Sequence, residues 1–185
     1  MNIDPLQMID RFYPDGDPAK AILCKHSTQV MEKALAILDA SPWAALLDRE
    51  LIRAGALLHD IGIRKCHAPD IGCNGKLPYI AHGIAGAAML RELDPELEKI
   101  ARICERHTGT GLSAAEIKKR GIPLPERDFM PETPEEKLVC LADKFFSKSA
   151  EMKEKSLPDI RRSMAKFGSE NVARFDDLCK MFNCG

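Results

Sequence analysis

Aromatic residues are scarce: they make up 5% of the 185 positions, with a single tryptophan. A core must therefore be built mostly from Leu, Ile, Ala and Met. Charge of either sign is not in excess, since 27 Lys and Arg face 28 Asp and Glu, for a formal net charge of −1. That balance gives no electrostatic case for a nucleic-acid polymer or an acidic membrane surface. A small phosphorylated ligand stays open. No apolar run approaches the roughly 20 residues of a membrane helix. The opening MNIDPLQMIDRFYP carries acidic residues and no apolar h-region, so no secretory signal is read there and a soluble, cytoplasmic protein is expected. None of the seven cysteines belongs to a CxxC pair, and their number is odd. Free thiols in a reducing compartment fit this better than a disulfide framework or structural zinc. Repeats, low-complexity tracts and runs of alternating apolar and polar residues are missing as well.

What is present is helical periodicity in a chain long enough for one domain with a sizeable core. A short helix is expected over Pro5–Phe12, ending at Tyr13-Pro14-Asp15-Gly16. Asp17-Pro18 reads as an N-cap and first helical residue of a long helix to about Leu38. Ser41-Pro42 restarts the chain, and a helix around Asp48–Asp60 follows. Residues 62–80 have the Gly and Pro content of an irregular loop. Helices are then expected over His82–Glu92, from Asp94-Pro95 to about His107, and from Ser113 to Arg120 through a capping box with Glu116. Residues 121–132 form a second, proline-rich loop. Thr133-Pro134-Glu135-Glu136 opens a helix to about Lys153 through another capping box. An amphipathic pair near Pro158–Phe167 and Ser169–Phe182 closes the chain, with Met164, Phe167 and Phe175 open to packing on the core or on a second subunit, the core being favoured. The reading is all-α, one helical bundle over 1–185 with a core of about 20–150 and helices of about 156–183 packed on it.

Chemistry concentrates on a few inward positions. Residues three and four apart share a helix face. His26 therefore lies with Ile22, Leu23 and Val30, and His107 with Ile103 and Cys104. His59 and Asp60 end the least polar stretch, AGALLHDIG, and His82 opens a Gly- and Ala-rich helix. Asp143 shares a face with Val139, Cys140 and Phe146. A carboxylate is almost never fully buried without a partner, because the cost is several kcal/mol. Separate explanations for six such groups are poor. A shared divalent cation accounts for all six, because imidazoles and carboxylates are its ligands and it neutralises the buried charge. His67, in the loop, stays outside this set and is expected to be exposed or at a pocket edge.

The series His26, His59-Asp60, His82, His107 and Asp143 resembles the HD domain superfamily of metal-dependent phosphohydrolases, in the form whose central motif reads His59-Asp60-Ile61-Gly62. The resemblance covers roughly residues 20–150. It implies an all-α bundle holding two divalent metal ions, iron, manganese or another. His26, His59, Asp60 and Asp143 would hold one, His82 and His107 the second, and Asp60 would bridge them, with His59 and Asp60 catalytic. Gly62 would release the backbone after the motif. Two such cations about 3.5–4 Å apart can hold a bridging hydroxide and clamp a phosphoryl oxygen. The implied function is hydrolysis of a phosphomonoester or phosphodiester bond in a nucleotide or other small phosphate ester.

The chain departs from the HD-GYP branch. Ile63 stands where that branch has a lysine after the motif's glycine, and no GYP tripeptide follows. Candidate phosphate-binding residues are Arg64, Lys65, Arg106 and Lys144. The loop Thr108–Leu112 is either a helix C-cap or an anion-binding turn. Two other functions share the ligand set: a di-iron oxygenase cleaving a C–C or C–P bond, and a non-catalytic metal-bound module that senses a nucleotide.

Overall fold

A computed structural model describes residues 4–148 and 152–184. Its helices are α1 (Pro5–Phe12), α2 (Pro18–Ala40), α3 (Arg49–Leu58), α4 (His82–Leu93), α5 (Glu98–Arg106), α6 (Ala114–Arg120), α7 (Pro134–Asp143), α8 (Leu157–Ala165) and α9 (Ser169–Phe182). The all-α reading holds. Local chemistry sets the helix starts as the sequence implies. Asp17 caps α2 by accepting from the Ala19 N–H at 2.9 Å, with Pro18 in the first turn. Both capping boxes form, at Ser113–Glu116 and Thr133–Glu136.

Beside a small buried cluster of Leu112, Ile117 and Phe129, two large ones form most of the core. One joins α2, α7, α8 and α9 through Val30, Leu38, Leu138, Ile160 and Phe175. The other joins α1, α4 and α5 through Ile9, Leu90 and Ile100. Helix α3 contributes to both, with Ile52 in the first and Leu58 in the second. No helix among the described residues is long and apolar enough to cross a membrane.

Several expectations change. The segment after the HDIG motif is not wholly irregular: β1 (His67–Ala68) pairs antiparallel with β2 (Cys73–Asn74). Strands of two residues are too short for alternation to show in sequence. Helix α7 stops at Asp143 rather than near Lys153. The chain turns there and returns, so that the Lys155 N–H donates to the Phe145 carbonyl at 2.8 Å. Residues 149–151 of the expected helix lie outside the described ones. Met164 and Phe175 pack inward as expected, but Phe167 is 49% exposed.

Close backbone approach places α4. A Cβ on Gly62 would meet the His82 carbonyl oxygen at 2.2 Å and the Gly86 nitrogen at 2.3 Å. Gly62 lies within a 3-10 turn, Ile61–Lys65, so its role is contact with α4 rather than release of the backbone. Tyr13, fully buried, holds the same turn from the other side. Its hydroxyl donates to the Ile61 carbonyl at 2.8 Å and accepts from the Arg64 N–H at 3.0 Å. Burial pushes the Tyr13 phenol far above its ordinary value, keeping it protonated for that role.

Candidate metal centre

Three of the four histidines in the buried set stand at helix ends. His59 and His107 immediately follow α3 and α5, and His82 follows the 3-10 turn Tyr79–Ala81. Each ring turns back on its own turn. The Nδ1 atoms of His59, His82 and His107 lie 2.7, 2.6 and 2.7 Å from the carbonyls of Ala56, Tyr79 and Cys104. A helix end leaves its last carbonyls without intrahelical partners, and at Ala56 and Cys104 the ring N–H supplies one; the Tyr79 carbonyl also accepts from the His82 backbone N–H. A ring that donates through Nδ1 presents a bare lone pair at Nε2 when neutral. His26 differs: it sits inside α2, and its Nδ1 has no hydrogen-bond partner.

All four Nε2 atoms converge on Asp60, whose two oxygens divide them. Oδ2 lies 3.2 Å from His26 and 3.1 Å from His59. Oδ1 lies 3.3 Å from His82 and 3.4 Å from His107. Asp143 adds Oδ1 at 3.0 Å from His26 and 3.3 Å from His59. Two groups able to hold a cation result, His26-His59-Asp60-Asp143 and Asp60-His82-His107, each with ligand atoms within 4.8 Å of one another. His67 is exposed, as expected.

The donor set fits divalent metal. His59 Nε2 and both Asp60 oxygens are fully buried, yet none makes a hydrogen bond of acceptable geometry despite the short distances. His82 and His107 bring their Nε2 atoms within 3.0 Å, where two lone pairs repel unless a proton or a cation lies between them. Imidazole and carboxylate together suit zinc, iron and manganese.

The electrostatics divide along the same line. Burial alone would raise the Asp60 carboxyl, but His59 and Lys148 overturn that and hold it well below the usual carboxylate range. Burial likewise opposes charge on His59, yet the Asp60 and Asp143 carboxylates lift its pKa to about 9. Burial dominates at His82, lowering it to about 3, and it lowers His107 too. These surroundings favour the charged form of the His59 ring and the neutral forms of His82 and His107.

Of the four candidate phosphate-binding residues, the structure brings only Lys144 to the centre. Its ammonium lies 2.7 Å from Asp143 Oδ2 and donates to the His107 carbonyl at 3.0 Å. Arg64 instead lies over the Tyr13 ring, 5.2 Å from its centroid, and Lys65 is exposed. Arg106 turns away and fastens the 121–132 loop, donating to the Met130 carbonyl at 2.7 Å and pairing with Glu132 at 2.6 Å. Adjacent helical residues diverge by about 100°, so its position beside His107 does not make it a neighbour of that ring. Two residues were not legible. Lys148 Nζ lies 2.6 Å from Asp60 Oδ2, and Tyr79 stacks on His82 with ring centroids 4.8 Å apart.

A helical bundle whose buried imidazoles and carboxylates gather around one aspartate is a candidate metal-binding fold. The HD domain family model matches residues 23–147, and the chain belongs to that family. It is 35% identical over 183 residues to a tRNA (cytidine(56)-2'-O)-methyltransferase of Picrophilus torridus, covering 93% of this chain and 47% of that protein. A protein of the same description from Thermoplasma volcanium is 31% identical over 167 residues, 90% of this chain and 44% of that one. An uncharacterised protein of Methanocaldococcus jannaschii is 40% identical over 125 residues, covering 63% of this chain and 66% of its own length. The chain thus spans about half the length of the curated methyltransferases it matches. Among solved structures, the HD domain of the L. monocytogenes phosphodiesterase PgpH shares the fold. It superposes with a TM-score of 0.51 at 18% identity, covering 99% of this chain and 97% of that domain. The same domain in complex with cyclic-di-AMP gives 0.50 at 18% identity, covering 97% and 94%.

Proposed function

We propose that the protein is a metal-dependent phosphohydrolase acting on a nucleotide or other small phosphate ester, with its chemistry in the core of about 20–150. The observation that carries this reading is the division of Asp60: one oxygen faces His26 and His59, the other His82 and His107. A carboxylate so placed is the natural bridge of a binuclear site. His26, His59, Asp60 and Asp143 would hold one cation, and Asp60, His82 and His107 the other. Two bound divalent cations supply Lewis-acid polarisation of a phosphoryl oxygen and a nucleophilic water at neutral pH.

The chain's own residues orient that chemistry. The Nδ1 bonds fix three imidazoles with Nε2 inward, and Lys144 and Lys148 set two ammonium groups beside the carboxylates. Cations next to the candidate ligand carboxylates suit a substrate that brings several anionic oxygens, such as a phosphate ester. Cyclic-di-AMP on the PgpH domain supports a nucleotide as the ligand class.

The test is elemental analysis of the purified protein, then phosphate release from a panel of phosphate esters after reloading with Mn²⁺, Fe²⁺ or Co²⁺. Two metal equivalents per chain and turnover that Asp60→Ala abolishes are expected. Zero bound metal, or activity indifferent to Asp60→Ala, would overturn the proposal.

A further inference from the structure

A cleft of about 230 Å³ opens from the centre toward the C-terminal helices. Asp143, Lys144, Thr108 and Gly109 mark where it meets the centre. Its apolar walls are Ile80, Leu112, Ile122, Phe146, Met164 and Phe167, and Arg120 and Lys155 add positive charge. Lys155, Met164 and Phe167 lie beyond the residues matched by the family model, so this part of the cleft is built by α8, α9 and the segment before them.

The charges in the cleft are not balanced alike. Lys144 faces Asp143 and Lys148 faces Asp60. Lys155 donates only weakly to the Phe146 carbonyl, at 3.4 Å, and no carboxylate forms an ion pair with it among the described residues. Lys155 is half-buried beside this cleft; desolvation and the neighbouring Lys144 and Lys148 lower its pKa against the attraction of the Asp143 carboxylate, a situation an incoming anion would relieve. Phe167 presents a half-exposed ring at the same cleft, with the Arg120 guanidinium 5.5 Å from its centroid.

This wall is rigidly tied to the centre. The buried Asn171 side chain donates to the Phe167 carbonyl at 3.1 Å and accepts from the Thr110 hydroxyl at 3.0 Å. Arg174 pairs with Glu116 at 2.7 Å and donates to the Gly111 carbonyl at 3.4 Å. The turn after His107 therefore carries α9, and with it Phe167, at a fixed offset from the His107 ring. An apolar pocket with a few converging cations is the composition of a site for an anion attached to a hydrophobic body.

We propose that Phe167, Met164 and Lys155 determine specificity, selecting phosphate esters whose alcohol carries a planar apolar ring. The ring lies against Phe167 and Met164, while the phosphoryl group faces Lys144 and Lys155. The proposal rests on the phosphohydrolase reading for the direction in which the ligand lies, and its binding can be measured without turnover.

Phenylphosphonate and methylphosphonate carry the same anionic head on a non-hydrolysable C–P bond, and differ by the ring. Calorimetric titration of the Mn²⁺-loaded full chain should give phenylphosphonate an affinity about tenfold higher. Phe167→Ala should bring the two within about twofold of each other. Lys155→Met should weaken both about tenfold and leave their ratio unchanged. In the wild-type protein, nuclear Overhauser transfer should connect the phenyl protons to Phe167. Equal affinities, a ratio indifferent to Phe167→Ala, binding indifferent to Lys155→Met, or transfer to other aromatic residues alone would each overturn the proposal. The expected ratios with no turnover of any ester would overturn the phosphohydrolase reading and leave the cleft standing. Turnover of esters regardless of ring would do the reverse.

Discussion

Lys148 neutralises, from beyond the end of α7, the carboxylate that four imidazoles surround: its Nζ lies 2.6 Å from Asp60 Oδ2, with the lysine side chain 15% exposed. The Asp60 carboxylate holds the Lys148 ammonium protonated against the opposing cost of burial, keeping its pKa above the ordinary lysine value. Removing one partner of such a buried pair costs about 3–5 kcal/mol. Lys148→Met should thus lower the melting temperature of metal-free protein by about 10 °C, the shift that energy gives a chain of this size. Added Mn²⁺ should restore most of it, because a divalent cation offsets the same charge. Calorimetric melting with and without Mn²⁺ decides the point; an equal loss in both conditions would count against it.

Asp60 is common to both ligand groups, whereas Asp143 belongs to one and His107 to the other. Mass-spectrometric metal counting should find about two equivalents in the wild type and about one in Asp143→Asn and in His107→Ala. Asp60→Asn should retain none after gel filtration, with metal affinity reduced more than the roughly 100-fold that outer-sphere changes produce. One tightly held equivalent in Asp60→Asn would contradict the bridging role.

Metal uptake should depend on pH with a defined sign. A proton resides on His59 below about pH 9 and must leave before Nε2 can coordinate, so Mn²⁺ affinity rises with pH up to that value. His82, lowered to about 3, is already neutral across that range and adds no dependence. Affinity should climb about tenfold per pH unit between 6 and 9. Titration in buffers of different ionisation enthalpy should show close to one proton released per chain. A flat profile would show that His59 is neutral in the metal-free protein.

Gly62→Ala tests the packing of the motif. The new methyl meets backbone atoms of His82 and Gly86, which cannot swing aside as a side-chain tip can. Overpacking of this kind costs about 1–3 kcal/mol or more. A melting temperature lower by about 6 °C is expected, together with weaker binding at the His82–His107 side. Circular dichroism melts and metal counting read both effects; wild-type values in each would refute the contact role of Gly62.

Much of this centre was legible in the sequence, for a physical reason. The candidate ligands occupy inward positions on helices or at their ends, where a His or Asp stands out against Leu and Ala. Lys148 did not stand out. Were α7 to continue, Lys148 would lie about 140° around the axis from Asp143, facing another way. Only the chain reversal after Asp143 brings it to Asp60, and nothing local in the sequence announces that reversal. Gly62 was misread because an HDIG glycine looks like a turn residue, while its contact with Gly86 is made across 24 positions. Tyr13 fastens the turn after the motif across 48 positions and carries no local signal at all.

The bonds from three rings to the ends of their own helical turns have a thermodynamic consequence. Rotating His59 or His107 would strand a buried carbonyl, and rotating His82 would remove one of the two donors to the Tyr79 carbonyl, so these side chains have already given up rotational freedom when the chain folds. Ion uptake then orders almost nothing further in them, and its entropy is dominated by released water rather than by the protein. His26, whose Nδ1 lacks such a bond, is held instead through its Nε2, 3.0 Å from Asp143 Oδ1, so an ion there would compete with the contact that orients the ring.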